Sequence, residues 1–145
     1  WLDKQDLTGQ TVIDYGCGSG ILGIAALLLG AEKVIAVDND PQALLATRDN
    51  AERNNIAAER ISTYLPEDLP SDTIGQTMLA NILAAPLIEL APKLAALTES
   101  NGLICLSGLL EHQIEAVSQP YLANFSFDDP TIETEWAQLA ARKTA

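Results

Sequence analysis

Three glycines at alternate positions, Gly16, Gly18 and Gly20, sit between the apolar run Val12-Ile13-Asp14-Tyr15 and a second run that begins Ile21-Leu22. A strand that turns on glycines and feeds a helix lets a ligand lie directly on the backbone. A Cβ there would disfavour positive φ angles and occupy the space. The start of that helix offers free N–H groups and a locally positive potential. Asp38 closes the next apolar run, 22 residues after Gly16. A carboxylate at that place can accept both hydroxyls of a ribose, so the two signals together indicate a ligand containing a nucleoside.

Two ligand chemistries fit this spacing. Read from Gly18, the stretch Gly18-Ser19-Gly20-Ile21-Leu22-Gly23 satisfies the dinucleotide fingerprint, with Asp38 20 residues on. Asp14 separates the two. A dinucleotide brings a pyrophosphate to the turn, and a carboxylate just before the first glycine opposes that anion. S-adenosylmethionine carries a sulfonium and an ammonium and has no phosphate. Asp14 can balance that positive end, directly or through water, while Asp38 holds the ribose. The plainer alternative makes Asp14 a turn residue and the glycines a device for tight packing.

A second signal is Ala80-Asn81-Ile82-Leu83-Ala84, at the end of a later apolar run. In open α/β sheets ligands bind beyond the carboxyl ends of the strands, near the point where strand order reverses. The first and fourth strands should flank that point and bring Asn81 to the ligand's reactive end. Its amide oxygen can accept an N–H from an amine and aim the nitrogen lone pair at a methyl group, a gain mostly of positioning. The alternative is a helix cap ahead of Pro86. No convincing general base and no metal-ligand set stands out. His112 is the only histidine and lacks a partner, Cys17 reads as a small turn residue, and Cys105 reads as core. Glu67, Asp68 and Asp72 read as a solvated loop, and Tyr64-Leu65-Pro66 can border an adenine ring.

The elements that must position these residues alternate. Strands are expected over residues 11–15, 33–38, 60–65, 76–81 and 103–107, and helices over 21–29 and 41–54. Gly30 should end the first helix, and Asn39 or Asp40 should cap the second ahead of Pro41. A helix opening at Pro86 places Leu87, Leu90, Leu94 and Leu97 on one side, and the pattern over residues 109–122 is also helical. Residues 135–142 suit a helix on propensity and a closing strand by position. Strand and helix alternating in this way imply right-handed βαβ units and a parallel sheet covered on both faces.

With 145 residues, 48% of them hydrophobic and 19% charged, the chain can bury a core and reads as one α/β domain. Its 20 acidic against 8 basic residues give a formal charge of −12. Such a surface repels phosphate backbones and anionic lipids, so neither nucleic acid nor a membrane is the expected partner, whereas a basic protein is. Two cysteines make no disulfide framework, and the cytoplasm is the expected compartment. The chain opens on Trp1 rather than Met, which suggests part of a longer protein.

Together these residues resemble the class I S-adenosylmethionine-dependent methyltransferases and, more narrowly, the catalytic domain of the ribosomal protein methyltransferases of the PrmA family. The glycine segment marks the superfamily. The resemblance also rests on Asp38-Asn39-Asp40-Pro41, Arg48-Asp49-Asn50-Ala51 and Leu106-Ser107-Gly108, and the narrower match on Asn81-Ile82-Leu83-Ala84 and the closing Glu135-Trp136 with Arg142-Lys143. It implies a Rossmann-like, doubly wound, mainly parallel seven-stranded sheet with an antiparallel last strand, so residues 134–142 are expected as a strand. It implies methyl transfer to amino groups of a large-subunit ribosomal protein, on lysine side chains and the N-terminal amine. Carried over by position, Gly16 and Asp38 would bind the cofactor and Asn81 would contact cofactor or amine; Asp14, Gly18, Gly20 and Asn39 complete the expected cofactor-binding set. The family also has a substrate-gripping N-terminal domain and a threonine-containing loop, both expected upstream of Trp1. This segment alone is therefore expected to bind cofactor weakly and to methylate little.

Other readings are another protein N-methyltransferase, a cofactor-binding module without turnover, and an NAD-dependent dehydrogenase, which Asp14 disfavours. Methylation of planar nitrogens through an Asn-Pro-Pro-aromatic motif is disfavoured too, because Ile82, Leu83 and Ala84 supply no aromatic face.

Overall fold

The computed structural model describes residues 1–145, which form two compact units, Trp1–Gly75 and Gln76–Ala145. The first holds β1 (Thr11–Tyr15), α1 (Ile21–Leu28), β2 (Lys33–Val37), α2 (Pro41–Arg53) and β3 (Ile61–Tyr64). The strands run parallel in the order β3-β2-β1, with Tyr15 beside Val37 and Val37 beside Tyr64. That register brings the residues following all three strands to one edge, where Gly16 and Asp38 lie. Val12, Ile13, Val34, Ala36 and Val37 are fully buried, which is why the strands read as continuous apolar runs.

Both helices of this unit are anchored at their ends. At the C-terminus of α1, Ala31 donates its N–H to Ala26 (3.0 Å) and Gly30, at φ 114°, donates to Leu27 (3.2 Å). This paired closure needs a left-handed residue, and glycine adopts that conformation without a steric penalty. Arg60 adds donors to the carbonyls of Leu27 (3.4 Å) and Ala31 (2.8 Å). At the start of α2 it is Asp40, not Asn39, that caps, accepting the Gln42 N–H at 2.9 Å with Pro41 at the first helical position.

The second unit contains α3 (Ala84–Glu89), α4 (Ala91–Leu97), β5 (Thr98–Leu110), α5 (Ile114–Ser118), β6 (Phe125–Phe127), β7 (Thr131–Glu133) and β8 (Trp136–Lys143), and β4 (Gly75–Asn81) leads into it. The order is β4-β5-β8-β6, with β7 attached to β8. β8 pairs antiparallel with β5, β6 and β7 alike. The fold is the expected Rossmann-like α/β class, parallel strands followed by antiparallel C-terminal ones. β7 is an additional short strand: Thr134, at φ 61°, turns the chain so that Glu133 and Trp136 become partners in a hairpin.

Two elements differ from the sequence expectation, and the closing strand follows the resemblance rather than propensity. The helix expected from Pro86 is broken at Leu90, because Pro92 enters the first turn of α4 and has no N–H to donate back. Leu87, Leu94 and Leu97 are nonetheless buried together, as their spacing implied. The helix expected over residues 109–122 is a five-residue α5 flanked by 3-10 turns, with Leu109 and Leu110 belonging to β5 and Pro120 in the final turn. Residues 136–143 form a strand against their propensity, because pairing on both flanks outweighs the preference of Ala, Gln and Leu for a helix.

Tyr121 fixes the helical layer of this unit. It is 1% exposed, donates its hydroxyl to the Leu87 carbonyl at 2.6 Å, and meets Phe125 and Phe127 edge-on at 6.0 and 6.4 Å. Tyr121→Phe keeps the rings and leaves a buried carbonyl without its partner. The expected loss is about 1–3 kcal/mol, read from urea denaturation midpoints.

Candidate active site

The glycine turn follows β1 with φ angles of 77° at Gly16, 55° at Gly18 and 84° at Gly20, a conformation that glycine alone adopts readily. Its amides are almost all committed within the turn and its neighbours. Gly16 and Cys17 both donate to the Val37 carbonyl (2.7 and 3.0 Å), and Gly20 donates to Cys17 (2.8 Å). Gly18 donates to an Asp38 carboxylate oxygen (3.0 Å), and Gly23 to an Asp14 carboxylate oxygen (3.1 Å). Two side chains of α2 brace the turn from below. Thr47 donates its hydroxyl to the Gly18 carbonyl at 3.0 Å, and Asn50 donates Nδ2 to the Ser19 carbonyl at 2.9 Å. Sequence reasoning assigned neither residue a role. The available signal was their i, i+3 spacing, which puts both on one face of α2.

The two carboxylates have different surroundings. Asp14, in β1, is 1% exposed, and its partner Gly23 belongs to the first turn of α1, where N–H groups lack intrahelical acceptors. Burial raises the Asp14 pKa to about 6, partly offset by the Gly23 N–H and reinforced by the charge of Asp38. Asp38 is half-buried and held through both oxygens, one by Gly18 and the other by the Asp40 N–H at 3.0 Å, while its own N–H donates to the Tyr64 carbonyl. A carboxylate offers about four acceptor positions, so this fixed group still has two for incoming hydroxyls. Asn39, the next residue, is exposed, and Tyr64 ends β3 on the same edge. Cys17 is no nucleophile: it is buried, its thiol pushed up to about 11 by burial, with Sγ 3.4 Å from the Thr47 hydroxyl.

Asn81 lies in the second unit, exposed at the end of β4. The residue preceding α3 is Leu83, so Asn81 is not that helix's cap. The chain after it is tied down, with the Ile82 N–H donating to the Ser107 carbonyl at 3.1 Å. Opposite stands Gly108, at φ 91° and beside a register shift in the β5–β8 pairing. A Cβ on Gly108 would lie 2.5 Å from the Ile82 carbonyl oxygen and 2.9 Å from the Asn81 Oδ1, so only glycine leaves that amide in place. Asn81 and Gly108 border a cleft of about 560 Å³ whose far wall is the β7–β8 hairpin. His112, Glu67, Asp68 and Asp72 are exposed, Cys105 is buried in β5, and no set of three His, Cys, Asp or Glu side chains gathers to hold a metal ion. No helix is long and apolar enough to cross a membrane.

A parallel strand-turn-helix unit with an acid after the second strand, joined to antiparallel C-terminal strands, defines the Rossmann-like methyltransferase class of fold. A Pyrococcus furiosus methyltransferase has this fold, with a TM-score of 0.77 at 15% identity over 99% of this chain and 80% of that one. The family model for ribosomal protein L11 methyltransferase (PrmA) matches residues 1–144, and the chain belongs to that family. It is 54% identical to the ribosomal protein L11 methyltransferase of Cellvibrio japonicus and 52% identical to that of Escherichia coli, each over 99% of this chain and 48% of the relative. The chain thus spans about half the length of the curated relatives it matches. The crystal structure of ribosomal protein L11 methylase from Lactobacillus delbrueckii subsp. bulgaricus superposes with a TM-score of 0.89 at 31% identity, over 99% of this chain and 75% of that one.

Two outcomes follow for stability. Because the folded pKa of Asp14 lies above its ordinary 3.8, the folded state holds the proton more tightly than the unfolded chain. The contribution is full below pH about 4 and is lost as the pH rises to about 6, an effect of about 3 kcal/mol. Denaturation midpoints compared with Asp14→Asn between pH 4 and 8 should show that slope vanish in the variant. Gly20→Ala combines a positive φ with a Cβ 2.8 Å from the Thr47 side chain. It should cost about 2 kcal/mol or more in the same assay.

Proposed function

We propose that the full-length protein, with residues 1–145 as its catalytic domain, transfers methyl groups from S-adenosylmethionine to amino groups of ribosomal protein L11. The acceptors are lysine side chains and the N-terminal amine. One observation carries the choice of cofactor. The turn has already donated the amides of residues 16, 17, 18, 20 and 23, two of them to carboxylates. A pyrophosphate would meet a turn most of whose donors are spent, and two negative charges. A ligand with a cationic end and a ribose meets what it needs.

The residues present fit that cofactor. Asp38, fixed by Gly18 and Asp40, accepts the ribose hydroxyls at its remaining positions, and Asn39 lies beside it. Gly16, Gly18 and Gly20 keep the surface of the turn free of side chains, so the ligand can approach the backbone. Asp14 places negative charge behind the turn and balances the cationic end. When bound, S-adenosylmethionine supplies an electrophilic methyl group on a sulfonium. Asn81 accepts an N–H of the substrate amine through Oδ1 and orients its lone pair, an effect of positioning. The amine reacts in its neutral form, its proton given up to solvent; no His or Lys lines the cleft beside Asn81. The acidic chain suits a basic protein substrate rather than nucleic acid, and the cytoplasm is where such a substrate is made.

Calorimetric titration of the full-length protein with S-adenosylmethionine and with NAD tests the choice of cofactor. The first should bind and the second should not, and Asp38→Ala should weaken binding by about tenfold or more. Preference for NAD would end the methyltransferase reading. With ribosomal protein L11 as acceptor, Asn81→Ala should lower kcat by about a hundredfold while leaving cofactor affinity within about twofold.

A further inference from the structure

We propose that the cleft between Asn81 and the β7–β8 hairpin is an alkylammonium site, in which the carboxylate of Glu133 and the indole of Trp136 capture the amine-bearing side chain of the substrate. The assignment rests on the methyltransferase reading above and names the side chains that select its acceptor. It begins with the hairpin register. Glu133 stands opposite Trp136, and Thr131 opposite Gln138. Directly opposed residues in an antiparallel pair project to the same face, with Cβ atoms about 4.5–5.5 Å apart. All four line the cleft that Asn81 borders. One face of the hairpin therefore presents a carboxylate, an indole, a hydroxyl and an amide to that space.

Charge and polarity decide what fits there. Glu133 is the only charged residue lining the cleft. It has no cationic partner, since the single ion pair of the chain joins the N-terminus to Asp3. No Lys or Arg occurs between Lys93 and Arg142, while Glu111, Asp128, Asp129 and Glu135 are all exposed acids of the same stretch. Phosphate and carboxylate groups are repelled from such a mouth, and cations are drawn to it. Trp136 is 54% exposed and Leu83 69% exposed, so two large apolar side chains border the cleft uncovered. An indole face attracts an ammonium, and the apolar walls suit a methylene stem. A lysine-like side chain satisfies all of these at once: its stem lies along Leu83 and Trp136, its ammonium meets Glu133, and after deprotonation its nitrogen meets the Asn81 amide. Glu133 and Trp136 thus bind and place the substrate; the methyl-transfer step does not run through them.

The test uses the full-length protein and two readouts. In steady-state methylation of ribosomal protein L11, Glu133→Gln should raise KM about tenfold with kcat and cofactor affinity within about twofold. Trp136→Leu should do likewise, and Trp136→Phe, which keeps a ring, should recover most of the affinity. Independently of turnover, the Trp136 indole N–H resonance, identified by its loss in Trp136→Phe, should move on titration with n-butylammonium chloride, move little with n-butanol, and stop responding in Glu133→Gln. An unchanged KM in Glu133→Gln, or an indole that moves equally with the alcohol, overturns the assignment. A protein that methylates nothing while its indole still responds to n-butylammonium keeps the amine site and removes the reaction proposed for it.

Discussion

The hydrogen bond from the Gly23 N–H to the buried carboxylate of Asp14 is the constraint on which the glycine-turn edge of this fold depends. It joins the end of β1 to the first turn of α1 and satisfies an N–H that the helix cannot satisfy itself. It also puts a negative charge at the positive end of the helix dipole. The helix start that in other α/β proteins greets a phosphate is here already neutralised from within. The ordinary attraction of a glycine turn for an anion is thereby opposed by a carboxylate within the turn's own support. Close packing supports the arrangement: a Cβ on Gly23 would lie 3.2 Å from Asp14 Oδ2 and 2.9 Å from Val34, so strand, turn and helix approach as nearly as backbone permits.

Around this bond the remaining parts are rigid supports. Asp38 is pinned by two backbone N–H groups before any ligand arrives, and α2 holds the turn through Thr47 and Asn50. Preorganised groups spend less of their interaction energy on ordering when a ligand binds. The second unit follows the same logic with other means. Gly108 withdraws so that Asn81 can stand where it does, and the Thr134 turn folds β7 back along β8, carrying Glu133 beside Trp136. Backbone conformations that few side chains tolerate occur at Gly108 and Thr134, next to the side chains they place.

The sequence was most legible where a local rule and a function coincide. The glycine turn, Asp14 and Asp38 are set by strand ends and short spacings, and the structure brings them to one edge as that spacing implied. Asp40 rather than Asn39 as the cap of α2 was within reach of the same rules. Long-range consequences were harder to read. Thr47 and Asn50 look like ordinary polar helix residues until α2 is laid under the turn. Gly108 looks like a strand glycine until the Ile82 carbonyl is placed against it. Residues 136–143 have helical propensity, and only the resemblance to a family pointed to a strand, because the deciding energy comes from partners far along the chain. Pro92 was a local signal that four well-spaced leucines concealed, as an apolar stripe survives a break in the helix that carries it.

The central claim is that the buried carboxylate answers a cationic ligand, and the protonation of Asp14 measures this directly. Following its side-chain carboxyl carbon by NMR through a pH titration of the full-length protein gives the pKa with and without S-adenosylmethionine. A positive group brought near should draw the value down from about 6 into the ordinary carboxylate range, with protons released on binding. A value that stays where it is, or rises, when the ligand is bound would contradict the account.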